Sequence, residues 1–307
     1  MNSKRSGDPQ FSIVIVTHNS SEVIGPCLRS LLSQGTDSVR YEVVIVDNAS
    51  TDKTLAMARS QYEQALLVAN TSNLGFAAGV NSGFARAGGE ILLIVNPDAI
   101  VQPGFLKGLT EFIERTPQAS IVGCRLLGEN DKPQPSCWRS PALGTLFLES
   151  FLPYSLSLSL VAESPNSSRE VEMVSGACMA VRRKAFEQLN GFDPRFFMYY
   201  EDADFCFRAR KARLKVYFCR EASAVHQLRK APDTYSASFF ENLYASRTFF
   251  FQKHFSRTYS RIAQVMIVSG IVLRIPVYFI FGALSFNKLL LRLSKYHTLI
   301  LLQRRRS

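Results

Sequence analysis

The sequence predicts an α/β protein: a mostly parallel sheet flanked by helices, followed by an apolar, basic helical segment at the C-terminus. Three observations predict it. Short β-branched apolar runs recur through the first hundred residues without polar alternation, as parallel strands buried on both faces require. Segments with helical spacing of apolar residues separate them. With 47% apolar and 20% charged residues over 307 positions, the chain can bury a sizeable core, which excludes a disordered or fibrous protein.

Phe11 to Thr17 is the first strand, and a helix pattern follows through Leu32. Tyr41 to Asp47 leads into a helix from Asp52 to Ser60, and Ala65 to Ala69 leads through a glycine-rich turn into Phe76 to Ala87. Ile91 to Val95 is the fourth strand. A sheet of this kind binds ligands beyond the carboxyl ends of its strands. Gly128 to Glu170 reads as a long polar excursion with a helix near Leu143 to Phe151, and long loops are often functional. Strand-like Val171 to Val181 comes next, then Lys184 to Leu189, a turn at Asn190-Gly191, a helix from Glu201 to Ala212, and short strands at Val216 to Phe218 and Ser223 to His226.

The net charge of +11 is uneven. Phe255 to Ser307 holds nine basic residues and no acid, leaving +2 for everything before it. Basic residues threaded through apolar stretches suit an anionic lipid surface better than a nucleic acid, and no nucleic-acid partner is expected. The six cysteines form no Cys-x-x-Cys pair, so zinc-ribbon and thioredoxin-like sites lack support and buried reduced thiols are expected. Met1 to Gln10 is polar and has no signal-like apolar stretch, so the first domain is expected to remain in the cytosol.

Four clusters sit where strands end. Asp47-Asn48-Ala49-Ser50-Thr51-Asp52 points carboxylates and hydroxyls into the crevice, or caps the next helix. Asn73 to Asn81 has small residues that allow either close ligand approach or tight helix packing. Asn96-Pro97-Asp98 ends the fourth strand with a carboxylate suited to a divalent metal on a diphosphate. Glu201-Asp202 opens a helix after the aromatic run Phe196 to Tyr200, where an apolar surround raises a carboxylate toward a general base. His226 is either a further metal ligand or a structural histidine. No Gly-x-Gly-x-x-Gly follows the first strand and no P-loop occurs, which weakens dehydrogenase and P-loop readings.

Taken in order, Ile15-Val16-Thr17-His18-Asn19, the Asp47 segment, Asn96-Pro97-Asp98 and Glu201-Asp202 resemble the inverting family 2 glycosyltransferases. Their fold is the Rossmann-like GT-A fold. Asn73 to Gly83, Val174 to Arg182 and Tyr200 to Arg208 resemble the rhamnosyltransferase-like branch. The resemblance implies that Thr17, Asn19 and Asp47 contact the donor nucleotide, with Asn73 and Asn81 nearer its ribose or diphosphate. It puts Asn96 in the first place of the family's Asp-x-Asp and Asp98 on a divalent metal, Mg2+ or Mn2+, with His226 as another ligand. Gly176 and Ala177 would leave room beside the donor sugar. Asp202, with Glu201 beside it, would take the proton from an acceptor hydroxyl, and one displacement would invert the anomeric centre.

Trp138, the only tryptophan, stacks on an acceptor sugar or anchors a loop. Ile262 to Phe286 is long enough to span a bilayer, but Arg274 and Pro276 fall near its centre. Helices lying in the interface are therefore favoured over spanning, with Arg274, Lys288, Arg292 and Lys295 toward the headgroups and Leu289 to Leu302 as a second amphipathic piece. A third arrangement packs these helices on the catalytic domain or on a second subunit. The expected organisation is a polar extension over 1–10, a GT-A domain over 11–255 and membrane-associating helices over 256–307. It suits an enzyme at the cytoplasmic face of the membrane, moving a sugar from a nucleotide-diphosphate donor to a lipid-linked glycan, with rhamnose favoured by branch resemblance alone. A nucleotidyltransferase and an inactive membrane-bound nucleotide-sugar-binding protein are the competing readings.

Overall fold

The computed structural model describes residues 9–34, 39–227 and 236–284, together with Lys295 and His297. Its first elements are β1 (Phe11–Thr17), α1 (Ile24–Leu32), β2 (Tyr41–Asn48), α2 (Thr54–Gln61), β3 (Leu66–Asn70), α3 (Phe76–Phe84) and β4 (Ile91–Val95). These β and α segments match the periodicities of the sequence. Next come β5 (Ala99–Val101), α4 (Phe105–Arg115) and β6 (Ala119–Leu127), three elements that the sequence reading passes over.

The long excursion is partly ordered, holding β7 (Cys137–Trp138), α5 (Leu143–Phe151), α6 (Tyr154–Val161), β8 (Ala162–Glu163) and β9 (Arg169–Glu170). The expected strand over Val171 to Val181 is broken into β10 (Met173–Val174) and β11 (Cys178–Arg182), so Gly176 and Ala177 lie in the break. Then follow α7 (Arg183–Gln188), α8 (Glu201–Lys211), β12 (Lys215–His226), α9 (Ala237–His254) and α10 (Arg257–Leu284). The two short strands expected near Val216 and Ser223 are one strand, β12, whose register on β6 shifts between Cys219 and Ser223.

Among the described residues, the main sheet has the order β3-β2-β1-β4-β11-β6-β12-β5, with β9 on β12. Strands β3, β2, β1 and β4 are parallel, and β11 inserts antiparallel between β4 and β6. β1 is buried along its whole length, because helices cover both faces of a parallel sheet. One cover is α3, and its closeness depends on two glycines. A Cβ at Gly79 would lie 2.6 Å from Val16 Cγ1, and one at Gly83 would lie 2.5 Å from Val14 Cγ1. Glycines at i and i+4 thus turn one helix face into a flat seat for β1.

All six cysteines are buried and unbridged. Burial pushes the Cys206 thiol up to about 12, and Cys137 likewise to about 12.

The chain divides into two compact units. The main sheet and the small sheet of β10, β7 and β8 belong to the first. The second gathers residues 140–161 and 198–200 with the described residues from 236 onward, and so contains α5, α6, α9 and α10.

Within this second unit α10 lies along α5. A Cβ at Gly270 would stand 2.8 Å from the Ser150 carbonyl oxygen, and the Leu143 N–H donates to the Tyr259 hydroxyl at 2.9 Å. Arg274, expected to face lipid headgroups, instead donates to the Glu149 carbonyl oxygen of α5. A guanidinium in the middle of an apolar helix needs acceptors, and the end of α5 offers one. The rest of α10 is an open apolar face that includes Val265, Leu273, Phe279, Phe281 and Leu284. Arg257–Phe281 is long and apolar enough, by length and composition, to cross a membrane. Lys295 is exposed, whereas Lys288, Arg292, Arg304 to Arg306 and most of the second amphipathic piece lie outside the described residues.

Candidate active site

The parallel register sets Thr17 opposite Asp47 at the carboxyl ends of β1 and β2. The Thr17 hydroxyl donates to Asp47 Oδ1 at 3.1 Å, and the Ser50 N–H donates to Asp47 Oδ2 at 3.0 Å. Both side chains are buried, so Asp47 is oriented by bonds to both oxygens. Exposed Asn19 sits at a left-handed φ of 49°, and its Oδ1 accepts from the Thr51 N–H at 2.8 Å. The Asn19 N–H in turn donates to Ser50 Oγ at 2.9 Å. Thr17, Asn19 and Asp47 therefore form one rim around the loop 48–52.

The glycine-rich stretch divides by role. Asn73 is exposed at the rim, where its Oδ1 accepts from the Gly75 N–H at 3.0 Å. Gly75 has a φ of +82°, and a Cβ there would lie 2.4 Å from the Phe197 carbonyl oxygen. It is fitted to protein backbone, as Gly79 and Gly83 are fitted to β1. Asn81 also serves the fold. Its Nδ2 donates to the Phe192 carbonyl at 2.8 Å and its Oδ1 accepts from the Phe192 N–H at 2.9 Å. With both ends of its amide engaged there, Asn81 clasps the Phe192 main chain.

Asn96-Pro97-Asp98 links β4 to β5, and the antiparallel pairing of β5 with β12 brings His226 beside it. His226 Nε2 lies 3.4 Å from Asp98 Oδ1, with both side chains mostly buried. Asn96 Oδ1 is buried and has no hydrogen-bond partner among the described residues. An orphaned buried acceptor calls for a ligand or a cation. A carboxylate, an imidazole and an amide oxygen are donor types that Mg2+ or Mn2+ accepts, although the described residues gather no group of three or more His, Cys, Asp or Glu side chains around one point, so substrate phosphates would have to complete the shell.

Gly176 and Ala177 join this loop to the acid pair. The Asn96 N–H donates to the Ala177 carbonyl at 2.9 Å, and the Gly176 N–H donates to Asp202 Oδ2 at 3.0 Å. The side chain of Ala177 is buried in the core cluster, while its main-chain carbonyl accepts from the Asn96 N–H. Asp202 opens α8 and its Oδ1 accepts from the Ala203 N–H at 2.8 Å. Burial raises its carboxyl pKa, although the N–H donors of Gly176 and Ala203 lower it in part. Burial pushes Glu201 well above the ordinary carboxylate range, with the charge of Asp202 adding to it. Glu201 Oε2 is buried without a hydrogen-bond partner among the described residues. Two adjacent carboxyls in one apolar setting cannot both ionise readily, and of the two Asp202 is the less buried.

The sequence reading missed Asn70, whose Nδ2 donates to Asn48 Oδ1 at 2.7 Å, while Asn48 Nδ2 reaches the Gly75 carbonyl at 2.9 Å. The signal was an asparagine ending both β2 and β3, which the register places opposite each other. Trp138 is half-buried in β7, opposite Met173 and Ala162.

Residues 12–189 match the model of Glycosyl transferase family 2, and residues 156–230 match the N-terminal domain of galactosyltransferase. The chain is 30% identical over 232 residues to the N-acetylglucosaminyl-diphospho-decaprenol L-rhamnosyltransferase of Mycobacterium tuberculosis (strain ATCC 25618 / H37Rv), covering 70% of this chain and 75% of that protein. It is 26% identical over 221 residues to rhamnosyltransferase WbbL of Escherichia coli (strain K12), covering 70% of this chain and 82% of that one. The mannosyltransferase PcManGT of Pyrobaculum calidifontis, solved with GDP-Man and Mn2+, superposes with a TM-score of 0.58 over 96% of this chain and 86% of its own, at 17% identity. A rim of polar side chains at parallel strand ends, in a chain matched over more than half its length by one family model, has a single reading. The protein is a GT-A-fold glycosyltransferase and belongs to glycosyl transferase family 2, in its rhamnosyltransferase-like branch.

Proposed function

We propose that the protein transfers a sugar, with rhamnose the first candidate, from a nucleotide-diphosphate donor to a lipid-linked cell-envelope saccharide, inverting the anomeric centre. The carrying observation is the Gly176-Ala177 pair, whose main chain holds the Asn96–Asp98 loop on one side and Asp202 on the other. A donor diphosphate at that loop and an acceptor hydroxyl at Asp202 are thereby registered on one rigid turn. Asp202 takes the hydroxyl proton as the oxygen attacks the anomeric carbon, and the bond from that carbon to the diphosphate breaks. Thr17, Asn19, Asp47 and Asn73 supply the rim for the nucleotide. Asp98, His226 and the Asn96 amide oxygen would hold Mg2+ or Mn2+, which when bound neutralises charge on the departing diphosphate.

Rhamnose is supported by the names of the mycobacterial and E. coli relatives, and the lipid-linked acceptor by the name of the mycobacterial one. The transferase chemistry is assigned to residues 11–255 and membrane contact to 256–307, at the cytoplasmic face. The open apolar face of α10 and the acid-free basic tail support that contact.

The test is nucleoside diphosphate release by full-length protein in detergent, over a panel of nucleotide sugars, with and without membrane lipid extract. One active donor, stimulation by the extract, a product of inverted configuration by NMR and loss of roughly 10²–10⁴-fold in kcat in Asp202→Asn are expected. Full turnover in Asp202→Asn removes the base from the mechanism, and donor binding without any turnover marks a binding protein.

A further inference from the structure

Within the first unit, α3 is fixed to the strands of the donor rim. Gly79 and Gly83 seat it on β1, which ends in Thr17, and the Gly75 carbonyl before its first residue accepts from Nδ2 of Asn48, the neighbour of Asp47, at 2.9 Å. The same helix straps the segment 192–197 at both ends. The Phe76 N–H donates to the Phe197 carbonyl at 2.8 Å, and the Asn81 amide holds both main-chain groups of Phe192, at 2.8 Å and 2.9 Å.

Phe192 follows a turn made by Asn190 and Gly191, whose φ values are 55° and 69°. Glycine is required there twice over, because a Cβ at residue 191 would also lie 2.6 Å from Asn81 Oδ1. Helix α8 docks on this turn. The Phe205 ring stacks on Phe192 with centroids 4.5 Å apart and planes 11° apart. Arg208 spreads its fork over the end of α7: Nη1 donates to the Leu189 carbonyl at 2.6 Å and Nη2 to the Gly191 carbonyl at 2.8 Å, while Nε donates to buried Asp204 at 2.7 Å. The turn 189–192 is thus gripped from one side by Asn81 of α3 and from the other by Phe205 and Arg208 of α8.

We propose that Asn81 is a positioning residue for transfer: by holding the turn 189–192 on α3 it sets where α8 stands against the donor strands, and so how Asp202, in the first turn of α8, faces the Asn96–Asp98 loop. This rests on Asp202 being the base. The Gly176 N–H holds one oxygen of Asp202, but a single hydrogen bond does not fix the axis of an eleven-residue helix. The ring stack and the arginine fork do, and both end on the turn that Asn81 clasps. Thr17, Asp47 and Asp98 stand on β1, on β2 and in the loop after β4, so a loosened clasp leaves them in place.

The test compares full-length wild type with Asn81→Ser, which is too short to hold both groups of Phe192, and Gly191→Ala, which pushes on the clasp from the other side. Arg208→Lys keeps a charge for Asp204 but loses the fork, and it replaces either variant that does not fold. Donor affinity and stoichiometry are read by calorimetry with the active nucleotide sugar of the panel, and kcat by diphosphate release. A misplaced base costs about tenfold to a hundredfold in kcat. That loss is expected in all three variants, with donor affinity and stoichiometry unchanged. In an Asp202→Asn background, Asn81→Ser should add no further loss, because a positioning residue acts only through the group that it positions. Wild-type kcat in both Asn81→Ser and Gly191→Ala overturns the proposal. So does a fall in donor affinity, which marks Asn81 as a donor contact, and so does an undiminished cost of Asn81→Ser in the Asp202→Asn background, which marks a purely structural role. If Asp202→Asn alone keeps full turnover the base assignment fails, whereas an inactive Asp202→Asn with a fully active Asn81→Ser defeats only the positioning role.

Discussion

The main-chain N–H of Gly176 and Oδ2 of Asp202 stand 3.0 Å apart, while a Cβ placed on Gly176 would meet Asp202 and Phe76 no closer than 3.5 Å. The protein itself therefore leaves room for a methyl group at residue 176. Gly176→Ala should fold normally, with a stability change of about 1 kcal/mol or less by chemical denaturation. If the glycine leaves room for the donor sugar, the same variant raises the donor KM several-fold. An unchanged KM would assign residue 176 to its hydrogen bond alone.

Glu201 carries a prediction about stability against pH. Its folded pKa is raised above the ordinary value of 4.5, so the folded state keeps a proton that the unfolded chain has lost. Its contribution therefore falls as pH rises from about 4.5 through the folded value. Glu201→Gln removes that slope. Urea denaturation should show the variant equal to or above wild type at pH 8, by about 1–3 kcal/mol, with the difference shrinking toward pH 4.5. Parallel curves for both proteins would mean that Glu201 ionises without penalty.

The seat of α3 on β1 can be probed by a double-mutant cycle. Gly83→Ala forces a methyl group to within 2.5 Å of Val14 Cγ1, which predicts a loss of about 1–3 kcal/mol. Val14→Ala in the same molecule should recover part of it, giving a coupling energy of favourable sign in thermal or urea unfolding. Simple additivity would place the strain elsewhere.

Chelation should lower turnover, and Mg2+ or Mn2+ should restore it. His226→Ala is expected to raise the metal concentration for half-maximal rate by about tenfold or more, with a smaller change at saturating metal. A rate indifferent to chelator would leave the Asp98–His226 contact as a structural pair.

Membrane contact is tested by flotation with vesicles containing anionic lipid. The protein should float, and replacing Phe279 and Phe281, which are 59% and 60% exposed, by serine should weaken this while leaving the melting temperature nearly unchanged. Equal flotation of the variant would move the contact away from this part of α10.

Much of the first half was legible because its information is local. β1 announces itself by an uninterrupted apolar run, and Thr17, Asp47 and Asp98 by standing at strand ends. What escaped depends on partners far along the chain. The partner of the Asn81 amide is Phe192, and the acceptor for Arg274 is the Glu149 carbonyl. No window of sequence contains both members of either pair. β5, α4 and β6 escaped differently: β5 has three residues, too few for periodicity to register, and β6 carries Gly123 in its interior, where a Cβ would meet Val174 at 2.3 Å.

The six buried cysteines make the molecule a silent background for thiol chemistry. All six are shielded from reagents while the fold is closed, and at Cys137 and Cys206 burial also disfavours the thiolate. A cysteine introduced on the surface, at exposed Asn73 for instance, would then take a maleimide dye ahead of the native six. Pairs of such dyes would report distances in the working enzyme, and slow modification of the native thiols would time its spontaneous opening.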